Sequence, residues 1–260
     1  GAVSAANSVV GTTTGDRVGS DFLAQAFGSG GAFIVSPNWG GGRGAVTWMS
    51  TANGRLNSMS TPGDYLIGPG GAVTTGNSLT GTATTDLLGN GGVFSLSGNA
   101  FVFSPNWSGD RGAVTWLKGT NGALVDGSLS GTPSASNSLI GTTPGDRVSD
   151  GSIEFVGFGN LAIRSSFWHN GGSQVGAVTF MRGTDGALSN MAAGIDAAVY
   201  TNAAQAYASL TGQITPSNSV IGDGANDKGR KTQRVTHAHH AAPRNAAHHR
   251  ADDAEGAQRY

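Results

Sequence analysis

Aspartates recur at matching places along the chain, at Asp16, Asp86, Asp146 and Asp227, the first and third in Gly-Asp turns. An acidic residue repeated once per unit places carboxylate oxygens around a common axis, a donor set suited to calcium. The same recurrence fits an Asx turn that caps a loop between units, since a residue needed once per unit serves structure readily. Trp39, Trp107 and Trp168 recur as well, beside Asn38, Asn106 and His169. A Trp-Asn pair can stack on and hydrogen-bond a sugar ring, and the competing role is packing between units. His169 is the sole histidine of residues 1–227 and replaces the Gly or Ser that follows the other two tryptophans. Glu154 is an acid inside an apolar run. His169 with Asp146 or Glu154 forms a candidate general base. Arg17 and Arg147 directly follow the turn aspartates and are expected to pair with them. No Gly-x-Ser-x-Gly elbow is present, so a serine-hydrolase reading has no support.

These residues sit in a repeating frame. Asn7-Ser8-Val9-Val10-Gly11 returns at Asn77–Gly81, Asn137–Gly141 and Asn218–Gly222, at spacings of 70, 60 and 81 residues. Between these marks lie Ser36-Pro37-Asn38-Trp39, Ser104-Pro105-Asn106-Trp107 and the degenerate Ser165-Ser166-Phe167-Trp168. A third mark runs Gly44-Ala45-Val46-Thr47-Trp48, Gly112–Trp116 and Gly176–Phe180. The order never changes. Repetition on this scale means small supersecondary units that stack to share a core.

Composition agrees. The 260 residues include 44 glycines and only 12% charged side chains. That glycine content, interrupted by regular apolar clusters, predicts many tight turns. Cysteine is absent, which excludes disulfides and thiol chemistry. Residues 1–227 hold 8 basic and 13 acidic side chains, so this body lacks the clustered Lys and Arg that nucleic acid requires. No stretch approaches the ~18 apolar residues of a membrane helix, and residues 1–25 show no signal-peptide pattern.

Each unit is expected to carry four short strands. In the second they are 92–97, 100–105, 112–117 and 134–140; the first has 22–27, 31–37, 44–49 and 72–80, and the third about 152–156, 159–165, 175–181 and 214–221. Phe101 and Phe103 alternate with smaller neighbours, as do Val114 and Trp116. Period-two alternation marks a strand with two unlike faces. Trp48 and Trp116 are therefore assigned to the core. Units span about 12–80, 81–141 and 142–222. Insertions at 55–71 and 189–211 lengthen the first and third, and the Ala-rich run from Met191 to Leu210 suits a short helix or a loop. From Lys228 onward Arg, His and Ala replace Gly, and residues 228–260 read as a disordered tail.

A Gly-Asp turn, an apolar strand, a strand ending in Ser-Pro and then Gly-Ala-Val-Thr-Trp resembles the FG-GAP repeat of integrin-type β-propellers. Gly44–Trp48 and Gly112–Trp116 carry the best match. The sequence is closer still to bacterial repeats of uncharacterised role found in long surface and haemagglutinin-like proteins. The resemblance covers roughly residues 3–227. It implies an all-β, propeller-like array of about three four-stranded units, closed by oligomerisation or extended by further units. FG-GAP calcium sites use an Asp-x-Asp-x-Asp-Gly loop, which this chain does not contain.

The resulting expectation is a non-catalytic repeat module of an exported, extracellular or cell-surface protein that binds glycan or protein partners. The alternative is a calcium-dependent propeller hydrolase of lactones or esters, with Asp16, Asp86 and Asp146 as metal ligands and His169 and Glu154 in catalysis. Open sheet edges add an expectation of self-association.

Overall fold

The computed structural model describes residues 2–24, 30–56, 70–190, 207–209 and 211–224. Its regular structure is predominantly β, with only two four-residue helical turns, Trp39–Gly42 and Trp107–Asp110, among the described residues. After β1 (Val9–Val10), the first sheet runs in the order β2 (Asp21–Ala24), β3 (Gly31–Ser36), β4 (Ala45–Ser50) and β6 (Ser78–Thr80). β5 (Gly71–Ala72) pairs instead with β1. The second sheet orders β7 (Val93–Leu96), β8 (Asn99–Ser104), β9 (Ala113–Leu117) and β10 (Ser138–Ile140). The third orders β11 (Ile153–Val156), β12 (Asn160–Ser165), β15 (Ala177–Arg182) and β19 (Ser219–Ile221). Within each set all neighbours are antiparallel. Among the described residues no sheet closes into a barrel.

Three smaller features complete the third unit. β13 (His169–Asn170) and β14 (Ser173–Gln174) form a hairpin. β16 (Leu188–Ser189) and β17 (Tyr207–Ser209) extend from β15. β18 (Gly212–Gln213) joins β10 of the preceding sheet. The two ends of the 189–211 insertion are thus strand. The rest of its expected helix or loop, the 228–260 tail and Asp227 lie outside the described residues.

The core lies between sheets. Alternate residues of one strand point to opposite faces, and the middle sheet uses both. Ala100 and Val102 of β8 meet Phe33, Val35, Val46 and Trp48 of the first sheet. Phe101 and Phe103 of the same strand, with Val114 and Trp116 of β9, meet Leu161, Ile163 and Met181 of the third. Neither face of the middle sheet could be solvated, which is why β8 carries no exposed residue.

Parallel contacts also join successive units, among them three that involve a fourth strand. β1 pairs with β5, Leu79 of β6 bridges to Gly131, and β10 pairs with β18. The fourth strands of the first two units, β6 and β10, are thereby held between their own third strand and a segment of the next unit.

The far face of the third sheet breaks the apolar pattern. Register places Glu154 opposite Ala162, with Arg164 two residues on. The middle sheet has Phe94 opposite Phe101, followed by Phe103, at those positions.

Candidate functional site

Asp16, Asp86 and Asp146 are almost wholly buried, at 2%, 0% and 0% exposure. Their carboxylates are filled by donors of two origins. The first set is local. Asp16 accepts the N–H groups of Thr12 and Thr13 at 2.7 and 2.9 Å, Asp86 those of Thr82 and Ala83 at 2.7 and 3.0 Å, and Asp146 those of Thr142 and Thr143 at 2.7 and 2.8 Å. The second comes from the turn after each tryptophan. Gly40 N–H reaches Asp16, Ser108 N–H reaches Asp86 (both 2.9 Å) and His169 N–H reaches Asp146 at 3.0 Å. The Asx-turn role is therefore present, and each aspartate also clamps a distant turn.

Close glycines make this possible. A Cβ on Gly11, Gly81 or Gly141 would stand 2.6–2.8 Å from the Cβ of its aspartate. Burial alone raises the pKa of Asp16. The Thr13 hydroxyl and the N–H groups of Thr13, Gly40 and Thr12 outweigh it and bring the value down to about 2. Asp146 is likewise lowered: burial opposes, while Thr143, His169 and Thr142 favour the charged form.

The third unit adds a side chain to the clamp. His169 Nδ1 lies 2.8 Å from Asp146 Oδ1, and the imidazole is 28% exposed. A carboxylate accepts only, so neutral His169 carries its proton on Nδ1 and its lone pair on Nε2. This is the geometry of an oriented general base. Of the two partners considered, Asp146 holds the imidazole. Glu154 lies on the exposed side of β11, and no hydrogen bond joins it to His169. Its departure from the apolar pattern belongs to the far face of the third sheet.

Trp39, Trp107 and Trp168 are buried, at 4%, 9% and 3% exposure. Trp107 packs into the layer between the first and second sheets and Trp168 into the layer between the second and third. Their ring faces serve the core, which removes them from a stacking surface. Asn38 and Asn106 beside them remain half-exposed. Asn106 accepts from Asn90 and donates to Asp110 Oδ1 at 2.8 Å. The indoles of Trp48 and Trp116 are also core, and their N–H groups reach across to the next unit, donating to Gly119 O and Gly183 O at 2.9 and 3.2 Å. The expected pairing of Arg17 and Arg147 with the turn aspartates is not found. Arg147 instead lies 3.6 Å from Asp150. Among the described residues no three His, Cys, Asp or Glu side chains gather as a metal-binding group.

The Asn-Ser mark has a role the sequence did not disclose. Asn77, Asn137 and Asn218 each accept the N–H three residues back at 2.8–2.9 Å and donate to the carbonyl five residues back at 2.9–3.0 Å. The following serine donates to the asparagine and meets the threonine of the third strand, as in Ser78 with Thr47 at 2.6 Å and Ser138 with Thr115 at 2.7 Å. The constant pairing of Asn-Ser with Gly-Ala-Val-Thr was the available signal.

The sequence matches a family described as a repeat of unknown function, DUF5650, over residues 1–20, 28–90, 96–150, 156–194 and 197–231. The chain belongs to this family. No curated protein matches it. The phase of the DUF5650 repeat gives the aspartates their meaning. Asp16 lies near the end of one matched segment and clamps the turn of Gly40 in the next; Asp86 and Asp146 do the same for Ser108 and His169. The carboxylate is thus a tie between successive DUF5650 repeats.

Proposed function

We propose that this chain is a non-catalytic repeat module of an exported surface protein, whose four-stranded units act as blades of a propeller-like array and present a surface to glycan or protein partners. The observation that carries this reading is the internal use of the recurrent polar residues. The three buried aspartates, the Asn-Ser pairs and the Trp48 and Trp116 indoles all close hydrogen bonds within the fold. A calcium ion at Asp16, Asp86 or Asp146 would have to displace amide donors these carboxylates already hold. Glycan contact falls to Asn38 and Asn106, with Trp39, Trp107 and Trp168 holding the turns that carry them. A glycan array probed with the full chain tests this. Binding should weaken in an Asn38→Ala/Asn106→Ala double variant whose melting temperature is unchanged. An array with no signal would refute the glycan reading.

One observation favours a second reading. The Asp146–His169 pair is an oriented base, and the alternative is hydrolysis of a lactone or ester by a water that His169 activates, with or without calcium. His169→Gln should then abolish turnover of a chromogenic ester panel while leaving the fold intact. Turnover equal in both forms, or absent in the parent chain, leaves the module reading standing.

A further inference from the structure

We propose that the edge formed by β1 and the Asp16 turn is a docking site for a further unit of the same repeat, which contributes its third strand and the Gly-rich turn before it. The two internal junctions define what such an edge binds. In one, Gly81, Leu87 and Leu88 donate their N–H groups to the carbonyls of Gly44, Gly42 and Arg43 at 3.1, 2.9 and 3.1 Å. In the other, Gly141, Arg147 and Val148 donate to Gly112, Asp110 and Arg111 at 3.2, 2.8 and 3.0 Å. The adjacent fourth strand pairs antiparallel with the third in the same register, Leu79 with Val46 and Leu139 with Val114.

Residues 8–18 carry the same equipment without the counterpart. β1 has its parallel neighbour, with Val9 beside Gly71, as β6 and β10 have theirs. Among the described residues it has no antiparallel neighbour. The N–H groups of Gly11, Arg17 and Val18, which correspond to the two donor triplets, make no hydrogen bond among the described residues. Ser8 donates to Asn7 Oδ1 at 3.0 Å as its counterparts do, yet meets no threonine. Val9, Val10 and Val18 are partly exposed, whereas Leu79, Leu88, Leu139 and Val148 are buried.

The occupant is specified closely. It must offer Thr opposite Ser8, an apolar residue opposite Val9 and Gly against Val18. At that last place a Cβ on Gly44 or Gly112 would lie 2.2 or 2.3 Å from the backbone N of Leu88 or Val148, at φ +79 and +76. An intact second copy does not meet the need. Its β4, β9 and β15 already hold β6, β10 and β19. The partner is therefore a repeat unit with three strands of its own that takes β1 as its fourth, a case of strand addition with the register set by hydroxyl and glycine positions.

The test joins a second copy of residues 81–131 directly before Ala2 of the full chain and follows amide hydrogen exchange at Gly11, Arg17 and Val18. In the parent chain these amides should exchange as open ones, while Gly81, Leu87 and Leu88 are protected. In the extended chain they should slow at least about a hundredfold, as groups do when they open only with their structural unit. Gly112→Val within the added copy should remove that protection. A peptide of residues 107–117, added to the parent chain, should protect the same amides saturably, and a scrambled peptide should not. Failure of both formats to protect them overturns the proposal, as does protection already present in the parent chain at high dilution. Protection that grows with the concentration of the parent chain alone would assign the edge to a second copy and also overturn it.

Discussion

At the scale of single residues, the five tryptophans divide by what their N–H groups do. Trp48 donates to Gly119 O across a unit boundary, whereas the buried N–H groups of Trp39, Trp107 and Trp168 have no partner among the protein groups described. Removing a partnered buried N–H leaves a carbonyl unsatisfied; removing an unpartnered one leaves nothing. Trp48→Phe should cost about 1 kcal/mol more than Trp107→Phe beyond their shared loss of ring volume, read from urea midpoints. Phe180, which fills the corresponding place in the third unit, shows that the ring alone is accommodated there. Asp16 gives the second prediction. Its folded-state pKa of about 2 lies below the ordinary 3.8, so the unfolded chain takes up the proton first. Its stabilisation is complete above the unfolded value and disappears as pH falls through about 2. The urea midpoint should drop across that acid interval, and Asp16→Asn should flatten the part of the fall that Asp146 and Asp185, both also lowered, do not supply.

At the scale of elements, the strands that pack on both faces were legible, because alternation and proline stops mark them. β8 and β9 were expected at 100–105 and 112–117 and lie at Asn99–Ser104 and Ala113–Leu117. The fourth strand was read too long. Residues 134–137 run straight into the apolar stretch that follows them, but Asn137 folds them into a turn by taking the Ser134 N–H, so pairing starts only at Ser138. A side chain that satisfies its own backbone competes with a ladder, and composition does not show which wins. The His169 loop was illegible for another reason. The path from Trp168 to Gly176 is three residues longer than from Trp39 to Gly44, and the extra length forms the β13–β14 hairpin instead of a Gly-rich turn. The two-sided burial of the middle sheet explains why Glu154 looked like a site: its position is apolar only where another sheet covers it. The Asn turn supplies the prediction for this scale. Asn137→Ala should lower stability by about 1–2 kcal/mol, since it leaves a part-buried N–H and carbonyl without the buried amide that satisfies them, while Asn7→Ala, in an exposed turn, should cost well under half of that in thermal melts.

At the scale of the whole molecule, stability is shared between neighbours and no unit owns its core. Each layer takes side chains from the sheet before and from the unit after, so nearest-neighbour terms dominate. Removing one complete period should therefore be tolerated better than removing part of one. Deletion of residues 81–140 brings Thr80 to Gly141, lets the Asp146 turn dock on the turn of the first unit, and should still give one cooperative β-type melting transition. Deletion of residues 81–110, half as long, leaves β9 and β10 without β7 and β8 and should abolish that transition. The Asp tie between successive repeats carries this point to the gene. Because the acceptor lies near the end of one repeat and the turn it clamps lies in the next, a crossover between two misaligned copies of the coding repeat, wherever in the period it falls, yields a chain in which every acceptor still meets a matching turn. Lineages carrying this sequence can thus lengthen or shorten the array by recombination, with folding placing little restraint on the number of repeats.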